Sequence, residues 1–487
     1  MKEKKLFDAI TDIDDNLVEK ASIKPIKRIK PIYKKVIAIA CTLAIVIGIS
    51  TGIFVRNNNS LQKTEEQKAN AFENQSENAN DNIYIGKCRP LLSVSLPKSV
   101  DRQKDFDEWY ELREKYVVDE DFNNSVNEFS YNTASTLLKD GNRNANYSPV
   151  SLYYALAIAT TGATGEALDE LLNVLCVDSV DTLNKQCNNL YNLLYSDNSI
   201  DKLKISNSVW LNNKFDVNDD FVNNAAENFY AESYSVDFGS KKTNKTIEKW
   251  ISDNTKGKLA PTVETDINQI LTIINTIYFK DEWANEFIEE LTKPDTFYLA
   301  DGKTATVDFM HTSHNSTWYK GDGFKRAGLY CKNQAKVNFI LPDNDVSVND
   351  LLKSPERLEE ALKGGGEKSG IINWSVPKFT FNTKYDLVDT LKDLGVKTAF
   401  DRDKIGSFNN VVSDFDGSIY ISGITQETTI ELNEKGVESA AFTEIFLSGA
   451  TAAPEEILDF NLNRPFIYTI EMCDSIVFIG VVYNPVN

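Results

Sequence analysis

The sequence predicts a mixed α+β domain that follows a single apolar span near the N-terminus. Helical spacing of apolar residues dominates the first part of this domain, and strand-like alternation dominates after Lys332. Segregated helices and strands of this kind are typical of α+β architectures. With 487 residues, of which 41% are hydrophobic, the chain is long enough to bury a sizeable core.

Individual helices and strands can be assigned from local patterns. The predicted helices are residues 127–138, 149–175 and 217–230, and Ser148-Pro149 supplies the cap and first turn of the second. The predicted strands are residues 203–212, 270–279 and a pair within 466–482, joined by a tight turn at Cys473-Asp474-Ser475. Residues 270–279 form a continuous β-branched and aromatic run, so we expect this strand to be buried on both faces.

Residues 36–55 are uncharged and about as long as the hydrocarbon core of a bilayer requires. Six Lys or Arg residues precede them between positions 24 and 35, whereas only Arg56 follows closely. This asymmetry predicts a single-pass transmembrane helix with the N-terminus in the cytoplasm. The alternatives are a cleaved signal peptide, whose apolar stretch is usually shorter, and a lipid attached to Cys41.

The chain between this span and the domain is predicted to be a linker. Residues 56–82 are rich in Asn, Glu, Gln and Lys and have almost no large apolar residue, so they cannot bury enough surface to fold. An amphipathic helix is predicted at residues 106–116. The predicted organisation is a basic cytoplasmic segment (1–35), a transmembrane helix (36–55), a polar linker and transitional segment (56–115) and a folded domain (116–487).

The charge distribution agrees with this organisation and argues against nucleic acid as a partner. The formal charge of the whole chain is −20, and the first 35 residues carry +4, which leaves −24 for the remainder. A nucleic-acid-binding surface needs Lys and Arg in excess to neutralise phosphates. We therefore interpret the acidic part as the solvated surface of an exterior domain.

The cysteines predict neither a disulfide framework nor a zinc site. Cys41 lies in the apolar span, and the remaining five form an odd set without CxxC spacing. We interpret those five as isolated small apolar residues: Cys88, Cys176, Cys187, Cys331 and Cys473.

Three short motifs match those of penicillin-binding and β-lactamase-like enzymes, in the order of that class. They are Ser199-Ile-Asp-Lys202, Ser252-Asp253-Asn254 and Lys368-Ser369-Gly370. The nucleophile of that class opens a buried apolar helix, whereas Ser199 precedes a strand-like alternation. His311 and His314, the only two histidines, have H-x-x-H spacing but no carboxylate at the spacing of a third metal ligand. The sequence therefore predicts no catalytic residue and no metal site.

The most informative segment is small and polar and lies between two strand-like runs. From Glu434 it reads EKGVESAAFTEIFLSGATAAPEE, and loops of this length are usually functional. Its period of two is that of a strand with one buried face, and a permanent strand is the alternative to a loop. The small or apolar face is Val437, Ser439, Ala441, Thr443, Ile445 and Leu447; the other is Glu438, Ala440, Phe442, Glu444, Phe446 and Ser448.

This segment resembles the reactive-centre loop of the serpins, a family of serine protease inhibitors. Other motifs match that family in order and spacing: Asn146-Tyr-Ser-Pro-Val-Ser151, Asn275-Thr-Ile-Tyr-Phe-Lys-Asp-Glu-Trp283, Val376-Pro-Lys-Phe379, Asn463-Arg-Pro-Phe466 and Gly480-Val-Val-Tyr-Asn-Pro485. The resemblance covers about 365 residues from near Asp121. It implies the serpin fold, with a large central β-sheet, two further sheets, about eight to nine helices and an exposed reactive-centre loop.

The resemblance implies that the protein is cut once as bait and is not an enzyme. A target serine protease would form an acyl-enzyme at the reactive bond. The cleaved loop would then insert as a strand into the large sheet and distort the tethered protease. Counting the family's usual interval from Glu434 puts the reactive bond at Ala450–Thr451, with residues 449–453 as the range. Every residue in that range is small, so the implied target has an elastase- or subtilisin-like pocket.

The resemblance also assigns roles to particular residues. The hinge would be Glu434, Gly436, Val437, Glu438, Ser439, Ala440 and Ala441. Lys378 and Glu434 match positions that pair near the top of the sheet in family members. Gln426 stands where many members have a histidine that bonds beneath the sheet, and a glutamine can also donate and accept hydrogen bonds.

The implied partners are a target serine protease, in a covalent complex, and the membrane through the N-terminal helix. We expect a monomer in the cell membrane with an extracellular serpin domain, and no cofactor or nucleic acid. A serpin-fold surface protein that binds partners without inhibiting a protease is the alternative.

Overall fold

A computed structural model describes residues 88–437 and 456–486, apart from residues 103, 140, 414 and 416. Ten α-helices lie within these ranges, where the sequence predicted about eight to nine; two of them have only five and six residues. The helices are α1 Phe106–Lys115, α2 Glu120–Leu138, α3 Pro149–Gly162, α4 Gly165–Val174, α5 Val180–Leu194, α6 Asp219–Phe229, α7 Lys241–Asn254, α8 Val348–Leu352, α9 Pro355–Lys363 and α10 Val388–Asp393.

Seventeen strands lie in the same part of the chain. The strands of the first half are β1 Cys88–Leu92, β2 Ala145–Tyr147, β3 Ser196–Asp197, β4 Lys202–Asn212, β5 Ala231–Val236, β6 Leu271–Glu282, β7 Lys293–Tyr298 and β8 Thr304–Gly321. Those of the second half are β9 Phe324–Tyr330, β10 Lys336–Pro342, β11 Lys368–Pro377, β12 Phe379–Asp386, β13 Thr425–Asn433, β14 Gly436–Val437, β15 Glu456–Asn461, β16 Phe466–Met472 and β17 Ser475–Val482.

The first sheet has eight strands in the order β1-β5-β4-β6-β14-β13-β12, with β3 added beside β4. The pair β4 and β5 is parallel, and the other pairs are antiparallel. Because β14 is antiparallel to both of its neighbours, β6 and β13 run parallel to each other. This sheet is the large central sheet that the sequence led us to expect.

The second sheet has nine strands in the order β15-β11-β8-β9-β10-β16-β17-β2, with β7 beside β8. The expectation of two further sheets is corrected here, since the described residues form one continuous hydrogen-bonded sheet in their place. The reason is the 18-residue strand β8, which pairs with β7 and β11 along most of its length and with β9 through residues 318–321.

Helix α3 forms the centre of the core and contacts both β6 and β17. All but one of its 14 residues are buried, and the Ser148 side chain caps it by accepting a hydrogen bond from the Ser151 N–H. The single predicted helix 149–175 is in fact two helices. The chain leaves the helical conformation at Ala163, the Thr164 N–H donates to Ser407 O at 2.8 Å, and Gly165 restarts the chain at φ +57°.

The residues before the predicted domain contain ordered elements of their own. Helix α1 confirms the amphipathic helix predicted at 106–116, and β1 pairs with the edge strand β5. The tight turn at Cys473-Asp474 is also confirmed, with both residues at positive φ. Within the described chain, five cysteines are free and no helix has the length and apolarity to cross a bilayer. The predicted span at residues 36–55 lies outside that part of the chain.

Candidate functional site

The candidate site is a gap in the first sheet between β6 and β13. At its upper end β14 pairs with residues 281–282 of β6 and residues 432–433 of β13. Beyond β14, the described residues show no backbone pairing between the facing edges of β6 (271–280) and β13 (425–431). We call the space between these two edges the slot, and the end that holds β14 its top.

Two cavities follow the slot along its length. One of about 30 Å³ lies directly below Val437, between residues 277–279 and 429–431. The other, of about 440 Å³, is lined by the lower parts of β6 and β13, by α3 and by residues 259–265. As a result, residues 271–275 are only half-buried, and the expectation that this strand is buried on both faces is wrong. An apolar run indicates burial, but the part of the chain that the structure describes provides no strand beside this edge of β6 below β14.

Beneath the sheet, β13 is held to the start of α3 by side-chain hydrogen bonds. The Gln426 amide accepts from the Ser148 N–H at 2.8 Å and donates to the Ser148 carbonyl at 2.9 Å. The Thr428 hydroxyl donates to the Asn146 carbonyl at 2.8 Å. Gln426 therefore donates and accepts below the sheet, as the sequence analysis anticipated for a glutamine at this position.

The other edge of the slot is held in a similar way. The Ser151 hydroxyl donates to the side-chain oxygen of Asn275, and the Asn275 amide donates to Asn207 Oδ1 at 2.5 Å. Because these bonds tie β6 to α3 and to β4, both walls of the slot rest on the same buried helix.

Glu434 anchors the chain immediately before β14. Its carboxylate accepts hydrogen bonds from Lys378 Nζ at 3.0 Å and from the Thr292 hydroxyl at 2.8 Å, and its carbonyl accepts from the Phe287 N–H at 3.0 Å. Burial by itself raises the pKa of the Glu434 carboxyl, but the hydrogen bonds from Lys378, the backbone and Thr292 outweigh burial and lower this pKa. The pair expected from the sequence between Lys378 and Glu434 is therefore present.

Trp283 fixes the same turn from the side of β6. Its side chain is fully buried, and its Nε1 donates to Asn433 O at 2.9 Å. Its backbone N–H donates to Lys435 O at 3.0 Å. The chain entering β14 is thus held by contacts on both sides, which brings it to the top of the slot in a defined direction.

The first residue of β14 must be small. A Cβ atom at Gly436 would lie 2.2 Å from Asp281 O and 2.8 Å from the Glu282 Cα, closer than real Cβ atoms come. The following Val437 is 2% exposed and lies between Asp281 and Leu432 on neighbouring strands. The top of the slot therefore accommodates a glycine followed by an apolar residue.

Two open strand edges in a buried sheet can accept one more strand. No strand among the described residues pairs with these edges below β14, and β14 sets the direction and register that an added strand would take. Such an arrangement binds a chain in extended conformation and performs no bond chemistry by itself.

The family model for Serpin (serine protease inhibitor) matches residues 124–485. The chain belongs to the serpin family. Serpin-ZX of Arabidopsis thaliana is 29% identical over 385 residues, which cover 74% of this chain and 97% of that protein. An uncharacterized serpin-like protein of Methanosarcina acetivorans is 28% identical over 381 residues, 74% of this chain and 87% of its own.

Solved structures agree with this assignment. The thermophilic serpin tengpin in its native state is 26% identical, with a TM-score of 0.69, and the match covers 82% of this chain and 100% of tengpin. Human thyroxine-binding globulin, solved in complex with thyroxine, is 23% identical with a TM-score of 0.65, over 75% and 98% of the two chains. At that identity the second likeness shows the serpin fold alone.

The structure describes only part of the predicted serpin loop. Glu434, Gly436 and Val437 lie together at the top of the slot. The other predicted site residues fall outside the described part of the chain; these are the hinge residues Glu438, Ser439, Ala440 and Ala441 and the reactive-bond residues Ala450 and Thr451.

The enzyme-like motifs are placed on unrelated elements. Ser199 lies in a bend before β4, Ser252-Asp253-Asn254 ends α7, and Lys368-Ser369-Gly370 begins β11. Lys202 pairs with Asp197, so its amine is already engaged. None of these three motifs places its serine at the start of a buried helix, which is the arrangement of the penicillin-binding and β-lactamase-like class.

The two histidines lie on strand β8 and not on a helix. Residues three apart in a strand point to opposite faces, so His311 and His314 do not converge on one ion. His311 Nδ1 is 3.0 Å from the Ser375 hydroxyl, and His314 stacks on Trp374. Burial lowers the pKa of the His314 ring. No cluster of metal-ligating side chains occurs among the residues that the structure describes.

Sequence reasoning missed two acidic residues at the top of the slot. Asp281 is 1% exposed and Asp201 is 4% exposed, although carboxylates are rarely buried so completely. No local signal distinguishes Asp281, because it lies in a run of three charged residues, Lys280-Asp281-Glu282, which is typical of an exposed segment.

Proposed function

We propose that this serpin is a suicide-substrate inhibitor of a serine protease whose pocket accepts small residues. The protease would cleave the loop between β14 and β15, form an acyl-enzyme, and be trapped as the cleaved loop enters the slot as a strand. The observation that carries the proposal is the slot itself, because no strand within residues 88–437 and 456–486 pairs with its two edges directly below the hinge.

The register of β14 defines where an inserted strand would lie. Gly436 is opposite Glu282, and Val437 is opposite Asp281 and Leu432. Continuing this antiparallel pairing places Ser439 between positions 279 and 430, Ala441 between 277 and 428, and Thr443 between 275 and 426. The inserted strand would therefore fill the vacant position between β6 and β13.

This register agrees with the alternation in the loop sequence. On β13 the side chains of Gln426, Thr428, Ile430 and Leu432 are buried, whereas the intervening ones are half-buried. The small or apolar face, from Val437 to Leu447, would meet that buried face, and Glu438 and Glu444 would lie on the other side. The match between the two patterns supports insertion as the purpose of the slot.

The residues of the loop also support the class of target. Every candidate for the bait position, from Gly449 to Ala453, is small, and none is basic. We therefore propose an elastase- or subtilisin-like protease and not a trypsin-like one. We further propose, from residues 36–55 alone, that the serpin domain is held at the outer surface of the cell membrane.

The direct test mixes the purified full-length chain with elastase, subtilisin and trypsin and analyses the products on denaturing gels and by mass spectrometry. The expected result is a detergent-resistant complex at the summed mass with one of the first two proteases, and cleavage within residues 449–453. Trypsin serves as the control, since the bait range contains no Lys or Arg.

Clean cleavage without any complex, across a broad panel of proteases with small pockets, would refute the inhibitory function. It would favour the alternative, a serpin-fold surface binding protein. Two of the solved structures similar to this chain are of thyroxine-binding globulin with thyroxine, so this fold also accommodates a ligand-binding role.

A further inference from the structure

The residues just before the part of the chain that the family model matches add a strand to the first sheet. The matched part begins at residue 124, whereas β1 comprises residues Cys88–Leu92. β1 pairs antiparallel with β5, and β5 is followed in the sheet by β4. If β1 were removed, β5 would become the edge of the first sheet on this side.

An uncovered β5 would be a good template for another strand. Its six residues, Ala231–Val236, contain no proline and no lysine, and its pairing with β4 has no bulge. Its one charged side chain, Glu232, accepts hydrogen bonds from Trp250 Nε1 at 2.7 Å and from the Tyr234 hydroxyl at 2.8 Å. Proteins usually protect a sheet edge with charges, prolines or bulges, because exposed backbone groups pair with other chains. β5 itself has no proline or bulge, and its one charge is already engaged.

β1, in contrast, has the features of a strand that ends a sheet. Pro90 has no N–H group to donate, and the register of the pairing with β5 shifts between Pro90 and Leu92. The Arg89 side chain, next to Pro90, is exposed. A proline, a charged side chain and an irregular register each hinder the addition of a further strand. The first sheet therefore ends at β1 with an edge that pairs poorly.

The Cys88 side chain holds β1 against the rest of the sheet. It is 3% exposed and lies in a small apolar cluster, separate from the main core, with Trp210, Val236 and Trp250. Trp210 and Val236 belong to β4 and β5, and Trp250 belongs to α7. The start of β1 is thus packed against two neighbouring strands and a helix.

The chain after β1 is attached to the domain at further points. The Ser99 hydroxyl accepts a hydrogen bond from the Asp197 N–H at 2.8 Å, and the Val117 carbonyl accepts one from the Asn189 amide at 2.6 Å. Because Ser99 is attached close behind β1, a detached β1 stays near β5. Short connections of this kind give an effective concentration in the millimolar range.

We propose that β1 is an intramolecular cap, which prevents β5 from pairing with β5 of a second copy of this chain. A strand that pairs antiparallel with its own copy forms a twofold interface that covers both edges, so chains without the cap form closed dimers. A second copy at about 10 μM is about 100-fold more dilute than the cap, and the capped monomer therefore prevails. This inference depends neither on the loop between β14 and β15 nor on protease inhibition.

The test places the same acidic side chain at two neighbouring positions of β1 in the full-length chain. Cys88→Asp puts a charge into the apolar cluster, and β1 can return that charge to water only by leaving β5. Arg89→Asp puts the same side chain at the adjacent exposed position and is the matched control. Light scattering in mild detergent and reductant measures the mass in solution, and hydrogen exchange of residues 88–92 shows whether β1 is paired.

We expect wild type and Arg89→Asp to be monomers with protected β1 amides. Cys88→Asp should lose this protection and form dimers whose fraction rises with protein concentration between about 1 and about 100 μM. A synthetic peptide with the sequence of residues 88–95 supplies the cap from outside. At millimolar concentration it should return Cys88→Asp to the monomer, whereas a scrambled peptide should not.

A monomeric Cys88→Asp with unprotected β1 amides would overturn the inference, because an open β5 would then need no cap. Unchanged protection of β1 in this variant would also overturn it, since burial of Cys88 would not hold the cap in place. Equal association of both variants, or association that the peptide does not reverse, would show general aggregation and contradict the proposal. None of these outcomes bears on the trapping of a protease, which is measured separately.

Discussion

Replacing either of two adjacent alanines by arginine tests the register of the inserted strand. Continuing the pairing of β14 puts Ala441 on the buried face, between Ile277 and the 4% exposed Thr428. Ala440 would lie on the opposite face, beside the half-buried Tyr278 and Thr429. The two positions have the same native residue and differ only in the face that they present, so each controls for the other.

The expected magnitude follows from what insertion would bury. At Ala441 an arginine would have to leave water, and an uncompensated buried charge costs several kcal/mol. About 3 kcal/mol at the insertion barrier slows insertion about 100-fold. At Ala440 the long side chain can extend to solvent, and substitutions of that kind change free energies by about 0.5 kcal/mol. Ala441→Arg should therefore convert the inhibitor into a substrate, and Ala440→Arg should remain an inhibitor.

The assay titrates a small-pocket protease with each variant and records residual activity and the products on denaturing gels. The number of inhibitor molecules consumed per trapped protease should rise by one to two orders of magnitude for Ala441→Arg, with unchanged cleavage of the loop. It should stay within a few-fold of wild type for Ala440→Arg.

Equal inhibition by both variants would refute the burial argument. Loss of inhibition by Ala440→Arg alone would show that the strand enters one residue out of register, because such a slip exchanges the two faces.

Three further substitutions test the described side of the site. Gly436→Ala should expel β14, because its Cβ would meet Asp281 O at 2.2 Å; faster proteolysis near residue 437 checks this. Gln426→Ala should lower the free energy of unfolding by about 1–3 kcal/mol, because two hydrogen bonds are lost. The control is Glu427→Ala at the neighbouring half-buried position, which should change this free energy by about 0.5 kcal/mol or less. Urea titrations measure both. Glu434→Gln should destabilise at neutral pH, and the difference from wild type should vanish as pH falls through the lowered pKa of this carboxyl; a constant difference in acid would contradict the assignment.

Local sequence signals were sufficient for much of the fold. The cap at Ser148, the turn at Cys473-Asp474 and strand β4 follow from residues close together in the chain, and the structure has each of them. Local signals did not predict that the two further sheets join into one. It depends on β8 pairing with strands far away in sequence, and pairing partners leave no mark in a local pattern.

For the candidate site, too, some features follow from the sequence and others only from the tertiary structure. The sequence by itself determined the alternation from Val437 to Leu447, because periodicity is a property of the chain. The resemblance to the serpins implied the hinge glycine at 436 and the pairing of Lys378 with Glu434. Only the tertiary structure decided that no described strand pairs with the facing edges of β6 and β13 below β14, and that Asp201 and Asp281 are buried. The physical reason is that a gap between two strands and the burial of a side chain are both relations between distant segments, and folding alone brings those segments together.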